Sequence, residues 1–172
     1  QASETLAKQA SSQLLVTKAL TNLVHAHFAL VWNTEKNELI SSEPTELATV
    51  VTRLTTALQE VLKLPPSHTK SFELLAIGQM ASQVSGKMSA EPPHTFRSIA
   101  FQALTEATDS AKSTNDSRAL SYAYGQLGEL YYQEKRFEEA VHYTRQAIFY
   151  AHQTLLLEPN GPKRGQTNSW PE

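Results

Sequence analysis

Apolar residues recur along this chain with the spacing of helix faces. Leu20, Leu23, Val24, His27 and Leu30 form a 3.6-residue stripe, which predicts a first helix from about Glu4 to Trp32. Leu47, Val50, Val51, Leu54, Leu58, Val61 and Leu62 predict a second, which ends near Lys63 ahead of Pro65-Pro66. Between them lies a loop, Asn33 to Glu43. Pro44 suits the first turn of the second helix, with Ser42 or Glu43 as its cap.

Four further helices follow from the punctuation. Ser67 or Thr69 caps a third that runs to about Val84, and Gly86 and Pro92-Pro93 bound the next loop. The fourth runs from about Thr95 to Lys112. The polar run Ser113-Thr114-Asn115-Asp116 is a turn, with Asn115 or Asp116 capping the fifth helix. Glu134-Lys135-Arg136 makes a corner into the sixth, which ends near Leu157. No alternating β-branched run with a hairpin turn is present, so the pattern predicts an all-α chain. Residues 158–172, rich in Pro and Gly, read as a disordered tail.

Ser121 to His152 resembles a tetratricopeptide repeat. Tyr124, Leu127, Gly128 and Tyr131 match the family's first helix, and Ala140 and Ala147 match the small positions of its second. Two positions depart: Thr144 replaces a large residue, which Tyr143 or Ile148 would have to supply, and His152 stands where Pro often closes the repeat. Fifty residues upstream, Leu74, Ile77, Gly78 and Ala81 repeat the first-helix spacing, and Ala100, Leu104 and Ala107 repeat the second. Leu20, Leu23, Val24 and His27, with Val50, Leu54 and Ala57, form a fainter first copy. The resemblance implies antiparallel helix pairs, about three of them, stacked as a short right-handed superhelix. The repeats span about 17–63, 69–112 and 117–152 within a domain of residues 1–157. Gly125 and Gly128 read as mid-helix glycines kept for close packing.

The resemblance also implies a non-catalytic scaffold that binds a protein or peptide in a groove lined by the first helices. Carried over by position, the groove takes Tyr122, Glu129, Tyr132 and Gln133 from the last repeat. It takes Phe72, Gln79, Ser82 and Gln83 from the middle one, and His25 and Phe28 from the first. The set lacks the Lys and Asn residues with which a chaperone-binding subset clamps a terminal carboxylate. All six tyrosines lie between Tyr122 and Tyr150. Tyr124 and Tyr131 are packing positions, whereas Tyr122 and Tyr132 fall off the packing stripe.

A narrower likeness rests on the run Arg118 to Tyr131, RALSYAYGQLGELY, and on Arg145-Gln146-Ala147-Ile148. These look like repeats that precede CHAT-type, caspase-like peptidase domains in large bacterial proteins. Such peptidases use a His and a Cys, and this chain has no Cys. The likeness therefore implies, as an alternative, a regulatory segment whose catalytic domain lies outside these residues. The chain begins with Gln1 rather than Met, which fits a processed chain or a segment of a longer one.

Composition narrows the chemistry. Fifteen Lys and Arg against seventeen Asp and Glu give a net charge of −2, which offers nothing to attract nucleic acid or an acidic membrane. No apolar run approaches the roughly 18 residues of a membrane span, so no insertion is expected. The absence of Cys removes thiolate nucleophiles and thiolate metal sites, and leaves the compartment open. His25 and His27 point to different helix faces, and there is no His-Glu-x-x-His pair, Gly-x-Ser-x-Gly elbow or phosphate-cradling Gly loop. No cofactor, metal or catalytic residue is expected. Apolar residues along the last helix, Phe149, Tyr150 and Leu155 to Leu157, lack a covering helix. They predict either continuation of the array or a homodimer through that helix.

Overall fold

The structure is a computed structural model that describes residues 2–33, 35–36, 38–40, 43–87 and 93–157. Among these residues the chain forms six helices: α1 (Ala2–Val31), α2 (Pro44–Leu62), α3 (His68–Lys87), α4 (Pro93–Ser113), α5 (Ser117–Gln133) and α6 (Phe137–Leu157). The fold is all-α, with helix pairs stacked on one another, as the hydrophobic pattern predicts. Ser67, rather than Thr69, caps α3, its Oγ accepting the Lys70 N–H at 3.1 Å. Asp116 caps α5, its Oδ1 accepting the Ala119 N–H at 2.9 Å. Gly86, expected in a loop, lies inside α3, which runs three residues beyond Val84. Ser42, residues 88–92 and the expected tail 158–172 lie outside the described residues.

The turns after α4 and α5 are built alike. Asn115 and Lys135 take positive φ, 52° and 61°. In each turn the next N–H reaches back five residues, Asp116 to the Ala111 carbonyl at 2.9 Å and Arg136 to the Tyr131 carbonyl at 3.0 Å. These Schellman closures satisfy the orphan carbonyls of the helix end and reverse the chain in two or three residues. They set α5 antiparallel to α4, and α6 antiparallel to α5. Ser71 and Ser110 share a hydrogen bond at 3.0 Å near one end of the α3–α4 pair, and Ser117 bonds Gln153 at 2.9 Å near one end of α5–α6.

Close approach within the α3–α4 and α5–α6 pairs is made at an equivalent glycine. A Cβ at Gly78 would lie 2.7 Å from the Leu104 side chain. A Cβ at Gly128 would lie 2.9 Å from Thr144 Oγ1 and 3.3 Å from the Ala140 carbonyl oxygen. Gly125 is different. It is exposed, and a Cβ there would meet only Ala147 Cβ at 3.9 Å, so the expected packing role does not apply to it. Around the Gly78 contact, Leu74, Ile77, Ala81, Ala100, Leu104 and Ala107 are fully buried.

Tyr150, Tyr124, Tyr143 and Tyr131 stack in one column between α5 and α6, with successive ring centroids 5.6, 6.0 and 5.1 Å apart. The Arg136 guanidinium sits over the last ring at 4.5 Å. Burial pushes the Tyr131 phenol above its ordinary value; Tyr143 adds to this and Arg136 opposes it. Tyr143 thus supplies the bulk missing at Thr144, while Ile148 is 52% exposed.

The first pair differs from expectation in register. The buried face of α1 is Thr17, Thr21, Val24, Phe28 and Val31, whereas Leu23 and Leu30 of the expected stripe are 41% and 66% exposed. The two threonines cost little to bury because each hydroxyl donates to the carbonyl one turn back, Thr17 to Gln13 at 2.9 Å and Thr21 to Thr17 at 3.1 Å. After α1 the chain forms a two-residue antiparallel ladder, β1 (Trp32–Asn33) with β2 (Glu38–Leu39), in place of a plain loop. Asn33 Oδ1 closes its turn by accepting the Lys36 N–H at 3.0 Å. A ladder this short carries no alternating pattern for a sequence to display. Lys70, only 8% exposed, joins α3 to the end of α2: its Nζ donates to the Leu62 and Leu64 carbonyls at 3.0 and 2.7 Å.

Candidate functional site

The first helices of the second and third pairs, α3 and α5, lie side by side and run in the same direction. Near their starts, His68 Nδ1 meets Asp116 Oδ2 at 2.5 Å, and Phe72 meets Tyr122 edge-on at 6.0 Å. Near their ends, Gly86 lies against the Gln133 carboxamide. Toward this second end the two helices leave a hollow of about 470 Å³.

Helix periodicity decides what lines it. Gln79, Ser82, Gln83 and Gly86 follow one face of α3, and Gln126, Glu129 and Gln133 follow one face of α5. Trp32 closes the hollow from the β1 strand, and Lys87 stands at its edge. Five expected groove residues therefore come together here: Gln79, Ser82, Gln83, Glu129 and Gln133. Phe72 and Tyr122 belong to the same two helices, about two turns away, and touch each other.

The remaining three expected residues lie elsewhere. Tyr132, 60% exposed, faces α6, where its ring meets Phe137 edge-on at 5.7 Å. His25 is exposed on α1 and does not line the hollow. Phe28 is 7% exposed and stacks on Trp32 at 5.7 Å, so its ring belongs to the core. The rotated register of α1 is the cause: the face that buries Thr17 and Thr21 carries Phe28 inward with them.

Gln126 is the residue the sequence reading missed. It lies three before Glu129 and seven before Gln133, the spacing of a single helix face, and that was the available signal. Its Oε1 is buried and has no hydrogen-bond partner. Leaving such an acceptor unsatisfied costs about 1–3 kcal/mol. Across the hollow's wall, Gln133 Nε2 donates to Glu129 Oε1 at 3.2 Å. The lining thus presents four carboxamides, one hydroxyl, one carboxylate and one ammonium, nearly balanced in charge. Among the described residues, no group of three or more His, Cys, Asp or Glu side chains is placed to hold a metal ion. No protein-family model, curated protein or solved structure matches this chain.

Proposed function

We propose that this chain is a tetratricopeptide-like, non-catalytic scaffold that takes an extended polypeptide segment in the hollow between α3 and α5. The repetition of Gly78 at Gly128, each at the close contact of an antiparallel pair, supports the repeat reading. The observation that carries the binding reading is Gln126, whose buried Oε1 stands without a donor in a wall of carboxamides.

A carboxamide offers one donor pair and one acceptor, which is what a peptide group requires. Gln79 and Gln83 are one turn apart, about 6 Å along α3. Peptide groups that point the same way on an extended chain recur every two residues, about 6.7 Å apart. The two spacings are close enough for neighbouring amides to meet successive peptide groups of a segment lying along the helix. Gln126 Oε1 would accept one backbone N–H. With one Glu and one Lys at the rim, the hollow suits a segment of low net charge.

The test is selection from a random peptide display library on the full chain, followed by titration calorimetry of a selected peptide. Gln126→Leu should weaken binding about tenfold, and N-methylation of one peptide bond should do the same. A selected peptide that binds Gln126→Leu and Gln79→Ala proteins as tightly as the original would place its site elsewhere and end the proposal.

A further inference from the structure

The two outer helices carry apolar faces that nothing among the described residues covers, and the faces match. On α1, the residues left outside by its register form a stripe at three- and four-residue spacing: Val16, Ala19, Leu23, Ala26 and Leu30, all exposed. Large and small side chains alternate along it. At the other end of the stack, α5 and α6 bound a groove of about 470 Å³. Its floor is small, with Gly125, Gly128, Ala140 and Thr144, and its walls are Tyr132, Phe137 and Val141. Tyr132, Phe137 and Val141 are 60%, 56% and 49% exposed.

The stack itself shows what such a face receives. Fifty residues upstream, the equivalents of Gly125 and Tyr132 are Leu75 and Ser82, which are 4% and 7% exposed. There α5 lies against the α3–α4 pair, with Phe101 on Tyr131 at 6.2 Å and Arg97 on Glu134 at 3.5 Å. A helix therefore seats on this face in the middle of the molecule, and the same face is bare at α5–α6. Gly125 adds a second argument. An exposed mid-helix glycine costs about 1 kcal/mol relative to Ala. Its own helix pair does not need it, so its use is to admit a backbone from outside.

We infer that the α5–α6 groove receives α1 of a second copy of this chain, so that copies associate head to tail and the helical stack continues across the junction. Leu23 and its large neighbours fill the floor over Gly125 and Gly128, while Ala19 and Ala26 clear the Tyr132 and Phe137 walls. Charge does not oppose it: Lys18 is the only charged residue between Ser11 and Val31, and the groove is lined by one acid and one base, Glu129 and Arg145. A symmetric pairing of α6 with α6 would cover one face and leave the α1 stripe bare. Because the contact is heterologous, it does not close on a dimer.

Sedimentation equilibrium of the full chain, from about 1 to about 100 μM, tests this. The weight-average mass should climb past twice the chain mass of 19.1 kDa as concentration rises. Leu23→Glu disables one end and Val141→Glu the other, both at exposed positions, so circular dichroism should be unchanged. Each variant alone should stay at monomer mass. Mixed in equal amounts they should form a discrete heterodimer, because each retains the end the other lacks. If either of these variants loses helicity, Leu30→Gln and Phe137→Gln serve in the same design. A wild-type chain that remains monomeric throughout overturns the inference. So does a Leu23→Glu protein that still dimerises, which would assign the contact to α6 alone. The segment Ser11–Val31 is also long and apolar enough, at a mean hydropathy of 1.4, to cross a bilayer. A chain that is monomeric in water but floats with neutral phosphatidylcholine vesicles through Leu23 would give the stripe to lipid instead.

Discussion

Thr144 Oγ1 stands so close over Gly128 that a Cβ there would lie 2.9 Å from it, and the hydroxyl is fixed by its own 2.8 Å bond to the Ala140 carbonyl. Two effects compete when Ala replaces this glycine. Helix propensity gains about 1 kcal/mol. Overpacking costs about 1–3 kcal/mol, toward the upper part of that range here because a backbone carbonyl also lies at 3.3 Å and has no room to retreat. Gly128→Ala should therefore destabilise by about 1–2 kcal/mol. At Gly125 only the propensity term operates, so Gly125→Ala should stabilise by about 0.5–1 kcal/mol. Urea unfolding of both variants in dilute solution decides it. Equal shifts would mean that the helices are farther apart at Gly128 than the structure places them.

The α5–α6 corner stores a backbone cost that can be removed. Lys135 holds φ at 61°, a conformation in which an L side chain costs about 1–2 kcal/mol. Its side chain is exposed and its N–H still bonds the Tyr132 carbonyl at 2.9 Å, which any residue retains. Lys135→Gly should raise stability by about 1 kcal/mol, and Lys135→Ala by close to nothing. A matching gain for Ala would trace the effect to the lost charge.

Helices α2 to α6 were legible because Pro44, Pro65-Pro66, Pro92-Pro93 and the two polar turns mark their ends, and enough apolar residues recur at helical spacing between them to show each buried face, even where α3 and α4 also bury Ser71, Ser82, Ser85, Thr108 and Ser110. The α1 register was not legible. Thr17 and Thr21 are polar by identity, yet their hydroxyls are satisfied within the helix, so they bury as apolar residues and displace Leu23 and Leu30 to the outside. The same rotation moved Phe28 inward. Five of the ten expected groove residues meet in the α3–α5 hollow because the fifty-residue correspondence between the two pairs holds. Trp32 enters that hollow from the short hairpin that joins α1 to α2, inside the first pair, which the fifty-residue correspondence does not place.

Lys70 makes a prediction that separates a buried donor from a surface pair. Its Nζ serves the carbonyls of Leu62 and Leu64 in a site that water does not reach freely. Lys70→Met keeps the apolar stem and deletes both bonds, leaving buried acceptors unmet, so it should cost about 2 kcal/mol. Lys63 bonds Glu60 at 2.6 Å, but its side chain is 57% exposed. Lys63→Met should change stability by less than about 0.5 kcal/mol. Thermal unfolding of the two variants side by side tests the contrast; equal effects would show that the α2 terminus is solvated without Lys70.

The tyrosine column gives the fold a dependence on alkaline pH. Burial holds the Tyr131 phenol above its ordinary value of 10.0, and the neighbouring Tyr143 reinforces this. A raised value in the folded state means that the folded chain keeps this proton when the unfolded chain has released it. The contribution is complete below the ordinary phenol value and is lost as pH rises above it toward the folded value. Stability measured by urea unfolding should thus be flat through neutral pH and fall above about pH 10. Tyr131→Phe keeps the stacked ring and removes the ionisation, so its stability should fall less steeply over that window. Absorbance titration at the phenolate band should show at the same time one fewer late-titrating tyrosine in the variant. If wild type and Tyr131→Phe decline in parallel, the alkaline loss arises elsewhere, and the phenol is not held above its ordinary value by the stack.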